Sequence, residues 1–254
     1  MDRSREIELS INRKFRHSLW GPFIRAIKDY QLIQENDRIA VCVSGGKDSM
    51  CLAKLMSMLQ AHSDFPFEVV YMVMDPGYNE ANRRKIEENA ETVGIPVQIF
   101  DTNIFNIANS MDSSPCYICA RMRRGALYRK AKELGCNKIA LGHNKDDVVE
   151  TFFMSLFYEG RLNCFAPVSY LDRKKLYSIR PLMYVPEWEC RSFVTKSGIN
   201  IVKNPCLADG NTKRQETKEM LAELSQKYDN LQEKVFGAIK RSSLKGWNDG
   251  VSKE

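Results

Sequence analysis

Arg38-Ile39-Ala40-Val41-Cys42-Val43 runs straight into Ser44-Gly45-Gly46-Lys47-Asp48-Ser49 and then Met50-Cys51-Leu52-Ala53-Lys54-Leu55-Met56, and the reading of this stretch decides the fold. The first part, apolar and β-branched, reads as a buried strand, and the last part as a helix with a buried face. The middle is therefore a tight strand-to-helix loop. Gly45 and Gly46 can take positive φ and let backbone approach a ligand, while the new helix offers unpaired N–H groups and the positive end of its dipole. Such a loop suits a phosphate; the plain alternative is a Gly-rich turn without a ligand. The ordinary P-loop spacing, four residues between its first Gly and a Gly-Lys-Ser/Thr ending, is absent.

Outward from this loop, further strands are expected near Phe67 to Met74, Val97 to Phe100 and Lys138 to Gly142, each separated from the next by helical sequence. Strict alternation predicts an α/β fold, an open parallel sheet of Rossmann type with helices on both faces. Ligands of such sheets sit beyond the carboxyl ends of the strands. Met74-Asp75-Pro76-Gly77 and Gly142-His143-Asn144-Lys145-Asp146-Asp147 are thus candidate walls of the site that the first loop opens. Amphipathic helices are expected from Ile7 to Tyr30, from Glu187 to Ser197 and from Arg214 to Lys240, and the polar stretch from Lys245 to Gly250 as a frayed end. The organisation expected is a helical extension over 1–36, an α/β domain with a Cys-x-x-Cys pair over 37–205, and a cysteine loop with a helix over 206–254.

The chain has 254 residues, 43% of them hydrophobic, enough to bury a sizeable core. No run of about 18 apolar residues is present and the first residues lack a secretory core, so a cytoplasmic protein without a membrane span is expected. Eight cysteines are too dilute for a disulfide scaffold and read as thiols or metal ligands. Cys116 and Cys119 have the spacing that lets two thiolates reach one metal centre, and they open a helix expected over Ala120 to Leu134. Cys206, after Pro205, is the best third candidate. No second Cys-x-x-Cys or histidine pair completes a structural zinc site, and three cysteines suit a 4Fe–4S cluster with one iron open. Cys42, Cys51, Cys136, Cys164 and Cys190 read as small core or surface residues.

Asp147 and Glu150, three apart on a helix, share a face where paired carboxylates could hold Mg²⁺ against phosphate; an acidic first turn answering the helix dipole is the alternative. His143 reads either as part of this site or as a capping or core histidine. The net charge of +6 permits an RNA partner. Arg121, Arg123, Arg124, Arg129 and Lys130 follow the Cys-x-x-Cys directly, as a phosphate-binding face or a solvated one. A loop base is a reasonable target because it can be splayed out and stacked on an aromatic such as Tyr117 or Tyr158.

Ser44 to Ser49 carries the Ser-Gly-Gly-x-Asp-Ser hallmark and so resembles the PP-loop ATP pyrophosphatases. Gly-His-x-x-Asp-Asp from Gly142, Cys116-x-x-Cys119-x-x-x-Arg123-Arg124-Gly125, Ile179-Arg180-Pro181-Leu182 and Pro205-Cys206 followed by Arg214-Gln215 resemble the tRNA 2-thiocytidine synthetase family, over nearly the whole chain. The resemblance implies ATP held by Ser44, Gly45, Gly46, Lys47, Asp48 and Ser49 with Met74, Gly142 and Asp147, catalytic roles for Lys47 and Asp48, and Mg²⁺ at Asp147. It also implies a 4Fe–4S cluster on Cys116, Cys119 and Cys206, tRNA held in part by Arg121, Arg123 and Arg124, and a homodimer. The reaction it implies is adenylation of the cytidine at position 32 of the anticodon loop, then replacement of O2 by sulfur supplied by a cysteine desulfurase or sulfide. One departure stands out: relatives often carry a second cysteine soon after the later one, whereas here Leu207-Ala208-Asp209-Gly210 follows. The alternatives are a 2-thiouridine-forming relative, a cluster-dependent desulfurase, or a non-enzymatic nucleotide- and metal-binding partner in sulfur transfer.

Overall fold

Ile39, Ala40 and Val41 are fully buried and Val43 nearly so, which is what a strand covered on both faces requires of a continuous apolar run. In the computed structural model, which describes residues 2–109, 115–202 and 212–247, this strand (β1, Arg38–Val43) lies inside a six-stranded sheet. The others are β2 (Glu68–Asp75), β3 (Val97–Asp101), β4 (Lys138–Ala140), β5 (Val168–Leu171) and β6 (Leu176–Ile179), in the order β3-β2-β1-β4-β6-β5. Every pairing is parallel except β5 against β6. The order reverses direction at β1, so the sequence leaves one crevice between the carboxyl ends of β1 and β4.

The four expected strands are present with small shifts at their ends. The β5–β6 hairpin was not expected. Its strands are four residues each and carry Ser169, Tyr170, Tyr177 and Ser178 among their apolar positions, too short for a period to show. The turn between them, Asp172–Lys174, closes with Lys175 in the left-handed region at φ 47°.

The expected N-terminal helix is three pieces: α1 (Arg3–Arg13), a π turn (Arg16–Trp20) and α2 (Gly21–Asp29). Pro22 has no N–H to give to the preceding turn, and the wider π turn absorbs that loss. After β1 comes α3 (Lys47–His62), buried nearly all round from Ser49 to Met56. It includes Lys54, whose Nζ, fully buried, donates to Ser4 Oγ (2.7 Å), Glu8 Oε1 (2.8 Å) and Val93 O (2.9 Å). One buried cation thus ties α1 to the sheet layer. Next come α4 (Glu80–Val93), α5 (Ile104–Asn109), α6 (Pro115–Glu133), α7 (Lys145–Glu159) and α8 (Glu187–Lys196). Pro115 suits the first turn of α6, so both cysteines of the pair stand inside the helix rather than ahead of it. The C-terminal helix divides into α9 (Lys213–Lys227) and α10 (Leu231–Arg241) at Asn230, which is left-handed at φ 55°. Trp247, expected in a frayed end, is instead fully buried against Tyr30 and Phe236; residues 248–250 of that stretch lie outside the described residues.

Candidate active site

The phosphate loop is braced by its own side chains. Ser44 N–H donates to Ser49 Oγ (3.1 Å), and the Ser49 hydroxyl donates to Gly46 O (2.9 Å). Gly45 stands at φ +76°, and a Cβ there would come within 2.9 Å of Ile86 Cγ1 and 3.0 Å of Val202 Cγ2. Val202 N–H donates to Gly45 O (3.1 Å), so the chain that leads toward Cys206 leaves from the loop itself. Gly46 then caps α3, whose free N–H groups face the crevice.

The loop after β4 closes the other side. A Cβ on Gly142 would meet the backbone of Asp48 and Ser49 at 3.2 Å, so glycine lets β4 pack directly on the start of α3. Asn144 and Asp147 form a reciprocal capping box at the start of α7, and Asn144 Nδ2 donates to Asp48 Oδ1 (3.0 Å). Extending the β1–β2 register by one residue sets buried Met74 beside Ser44. Asp75 accepts from Gly77 N–H and Tyr78 N–H, shaping the turn after β2.

Lys47, Asp48, Asn144, Asp147, Glu150, Glu187, Arg214 and Lys218 surround a cavity of about 230 Å³. Lys47 Nζ lies 2.9 Å from Asp48 Oδ2 and 2.8 Å from Glu187 Oε1. Burial alone would lower its pKa, but the two carboxylates outweigh burial and hold it above the ordinary lysine value. Glu187 is held down at about 2: burial would raise it, and Lys218 and Lys47 together prevail. Asp147 and Glu150 do share a face of α7, and Arg214 from α9 bridges them, Nη1 to Asp147 Oδ1 at 3.2 Å and to Glu150 Oε2 at 2.9 Å. Burial raises both carboxyls, and mutual repulsion helps carry Glu150 to about 6 despite Arg214. Asp146 faces elsewhere, accepting from Glu187 N–H at the start of α8 (2.6 Å). His143 packs on Phe165 with its Nδ1 buried and without a hydrogen-bond partner among the described residues; burial, with Arg180 and Arg214 nearby, lowers it to about 3.

Glu187, Lys218 and the bridging role of Arg214 are the parts of this site that the sequence reading missed. Each comes from a helix far along the chain, and no local pattern marks them. Asn144 was visible only as the third letter of Gly-His-Asn, where a capping side chain before two acids is the signal that could have found it.

The Cys-x-x-Cys helix starts at the same edge. The chain passes from the carboxyl end of β3 through α5 and α6 back to the start of β4, which puts the first turns of α6 on the side of the phosphate loop. Burial raises the phenol of Tyr78, in the turn after β2, and Arg123 of α6 is close enough to oppose that rise. Cys116 and Cys119 are three apart within the helix and share a face. Cys119 is partly buried; the side chain of Cys116 and all of Cys206 lie outside the described residues. Among the described residues no three His, Cys, Asp or Glu side chains are grouped to hold a metal. The donor chemistry fits a cluster nonetheless: two cysteine positions three apart in the first turns of α6, and Val202, on the way to the third cysteine, hydrogen-bonded to Gly45 of the phosphate loop. Cys51, Cys136, Cys164 and Cys190 are buried and Cys42 partly so, as expected of packing residues.

The PP-loop domain family matches residues 20–224. The tRNA-cytidine(32) 2-sulfurtransferase of Pelobacter propionicus is 36% identical over 237 residues, covering 91% of this chain and 87% of that protein. The enzyme of the same name from Teredinibacter turnerae is 38% identical over 226 residues, covering 86% and 74%. Among solved structures, the U34-tRNA thiolase NcsA from Methanococcus maripaludis, described with its 4Fe–4S cluster, has the same fold, with a TM-score of 0.70 at 22% identity over 87% of this chain and 77% of that one.

Proposed function

This chain belongs to the PP-loop family and, within it, to the tRNA-cytidine(32) 2-sulfurtransferases, and from that premise we propose that it is an ATP-dependent enzyme that thiolates a tRNA cytidine. The cytosine O2 attacks the α-phosphorus of ATP and pyrophosphate leaves; sulfur then forms a bond to C2 and AMP departs with the former O2. The observation that carries this reading is the conjunction, at one sheet edge, of a braced loop ahead of a helix N-terminus and a second helix that opens on a cysteine pair.

Ser44, Gly45, Gly46 and Ser49 shape the loop that would hold the pyrophosphate portion of ATP, with the N–H groups at the start of α3 directed at its charge. Lys47 supplies the cation for the phosphates, and Glu187 with Asp48 sets its position. Asp48, fixed by Asn144, and Asp147 are the carboxylates that would meet Mg²⁺. Met74 and Gly142 form the walls beside the loop. Cys116, Cys119 and Cys206 would hold a 4Fe–4S cluster, which supplies an iron with an open position for the sulfur to be transferred. Arg121, Arg123 and Arg124 would take tRNA phosphates.

The resemblance further supports a cysteine desulfurase or sulfide as the sulfur source, a homodimer as the active form and a cytoplasmic location. Among the described residues no helix is long and apolar enough to cross a membrane.

Anaerobically purified protein tests the assignment through two readouts, bound iron and AMP formed per thiolated tRNA. Asp48→Ala is expected to keep its iron and lose at least a hundredfold in AMP formation. Cys119→Ala and Cys206→Ala are expected to lose the iron and the thiolated product while keeping the fold. Full thiolation by either cysteine variant would sink the ligand assignment, and full thiolation by Asp48→Ala the role of the loop.

A further inference from the structure

The middle of α6 holds a glycine that the fold does not require. Gly125 is outside the positive-φ region, and a Cβ built on it meets no atom of the described residues within 4 Å. Neither backbone conformation nor close packing therefore accounts for it, although glycine is the poorest helix former after proline. What the missing side chain leaves is room. Gly125 lies in a groove of about 590 Å³ between α5 and α6, lined by Ile104, Tyr117, Met122, Arg121 and Arg129 among others.

The chemistry of this groove is one-sided. Tyr117 is 63% exposed, offering a ring to a partner. Among the described residues no acid lines the groove, Arg121, Arg123, Arg124 and Arg129 have no carboxylate partner, and the ion pair within this helix is Lys130 with Glu133. An apolar floor, an exposed aromatic face and guanidinium groups along its α6 side are what an unpaired nucleotide needs: a surface to stack on and cations for its phosphates. A protein loop would find the apolar floor but would face unanswered positive charge along the α6 wall.

We propose that this groove receives an unpaired base of the tRNA, stacked on Tyr117, with the flanking phosphates on Arg121 and Arg129. Residues 118, 122, 125 and 129 form one face of α6, and Cys119 and Arg123 lie about 100° round the helix from it. The base held in the groove is therefore a neighbour of the reacting cytidine, and the groove orients the anticodon loop beside the cysteine face. Gly125 is small to keep this seat open. The inference rests on the tRNA reading above but not on the details of sulfur transfer.

The full-length protein with unmodified tRNA at fixed salt provides the test. Gly125→Leu puts a side chain into the groove where nothing in the fold opposes it; its melting temperature should be equal or higher and its MgATP affinity within twofold, while its tRNA dissociation constant rises at least tenfold. Tyr117→Ala, a surface change, should weaken tRNA about tenfold, and Tyr117→Phe should restore it to within twofold. Both Gly125→Leu and Tyr117→Ala binding tRNA within twofold of the parent overturns the groove, and so does intact tRNA binding with a selective loss of sulfur delivery from a donor protein, which would make it a protein-docking surface. Failure of the parent protein itself to bind tRNA strikes instead at the proposed function.

Discussion

Glu187 stands at the meeting point of three helices. Its Oε1 reaches Lys47 Nζ at 2.8 Å and Arg191 Nη2 at 3.1 Å, and its Oε2 accepts from Lys218, so one carboxylate joins the start of α3, α8 and α9. With its pKa held at about 2 against an ordinary 4.5, the unfolded chain binds the extra proton in the interval between those values. The stability it contributes is thus fully present above about pH 4.5 and is lost as pH falls through about 2. Glu187 is only partly buried and its ion pairs are screened by solvent, so that contribution is about 1–2 kcal/mol. Denaturant titrations at pH 5, 4, 3 and 2 should show the parent protein losing about that much more than Glu187→Gln over the acid range. Parallel curves for the two proteins would contradict the linkage. Residues of this type were not legible in the sequence. Their importance comes from partners 140 and 31 positions away, Lys47 and Lys218, and an acid in a first helical turn is an ordinary sight.

At the scale of elements, what could be read ahead of the structure were the units whose local pattern and tertiary role agree. β1 is apolar from Ile39 on and covered on both faces; α3 follows a loop whose Gly45 stands at φ +76°. The elements missed or misdrawn were set by tertiary contacts: the short β5–β6 hairpin on the sheet edge, the π turn before Pro22, and the break at Asn230 between α9 and α10. The two glycines of the phosphate loop separate fold from ligand in a way that experiment can follow. Gly45→Ala places a Cβ at φ +76° against Ile86 and Val202 and should destabilise the protein by about 1–3 kcal/mol. Gly46 has an ordinary φ of −81° and its nearest Cβ neighbour is Ser44 Oγ at 3.4 Å, so Gly46→Ala should melt with the parent protein. If the space above Gly46 is where phosphate approaches, the same variant should bind MgATP at least tenfold more weakly by calorimetry. Parent-like affinity would mean that the nucleotide does not approach the backbone there.

Over the whole molecule, the two ends of the chain are fastened to the sheet layer and to each other. Lys54 draws α1 onto α3 from one side, and Lys240 pairs with Asp29 at the end of α2 from the other. Tyr30, Tyr184, Phe236 and Trp247 form a continuous ring cluster, each contact edge-on at 5.6–6.1 Å, drawn from α2's cap, the segment before α8, α10 and the C-terminal turn. Edge-on contacts of this kind add to the burial of the rings. Trp247 is the outermost member by sequence and among the most buried by position, so the turn Leu244 to Trp247 acts as a clasp over the junction of the terminal helices. Trp247→Ala should therefore cost about 3–5 kcal/mol in denaturant unfolding, the range for an aromatic truncated in a packed core. Tyr228→Ala, at a ring 58% exposed between α9 and α10, should stay within about 0.5 kcal/mol of the parent. None of the four rings lines the cavity beside Lys47 and Asp48, so a Trp247→Ala protein kept folded by cold or osmolyte should still bind MgATP. A loss below 1 kcal/mol at Trp247 would show that the clasp is dispensable and that the terminal helices hold to the sheet through Lys54 and their own apolar faces.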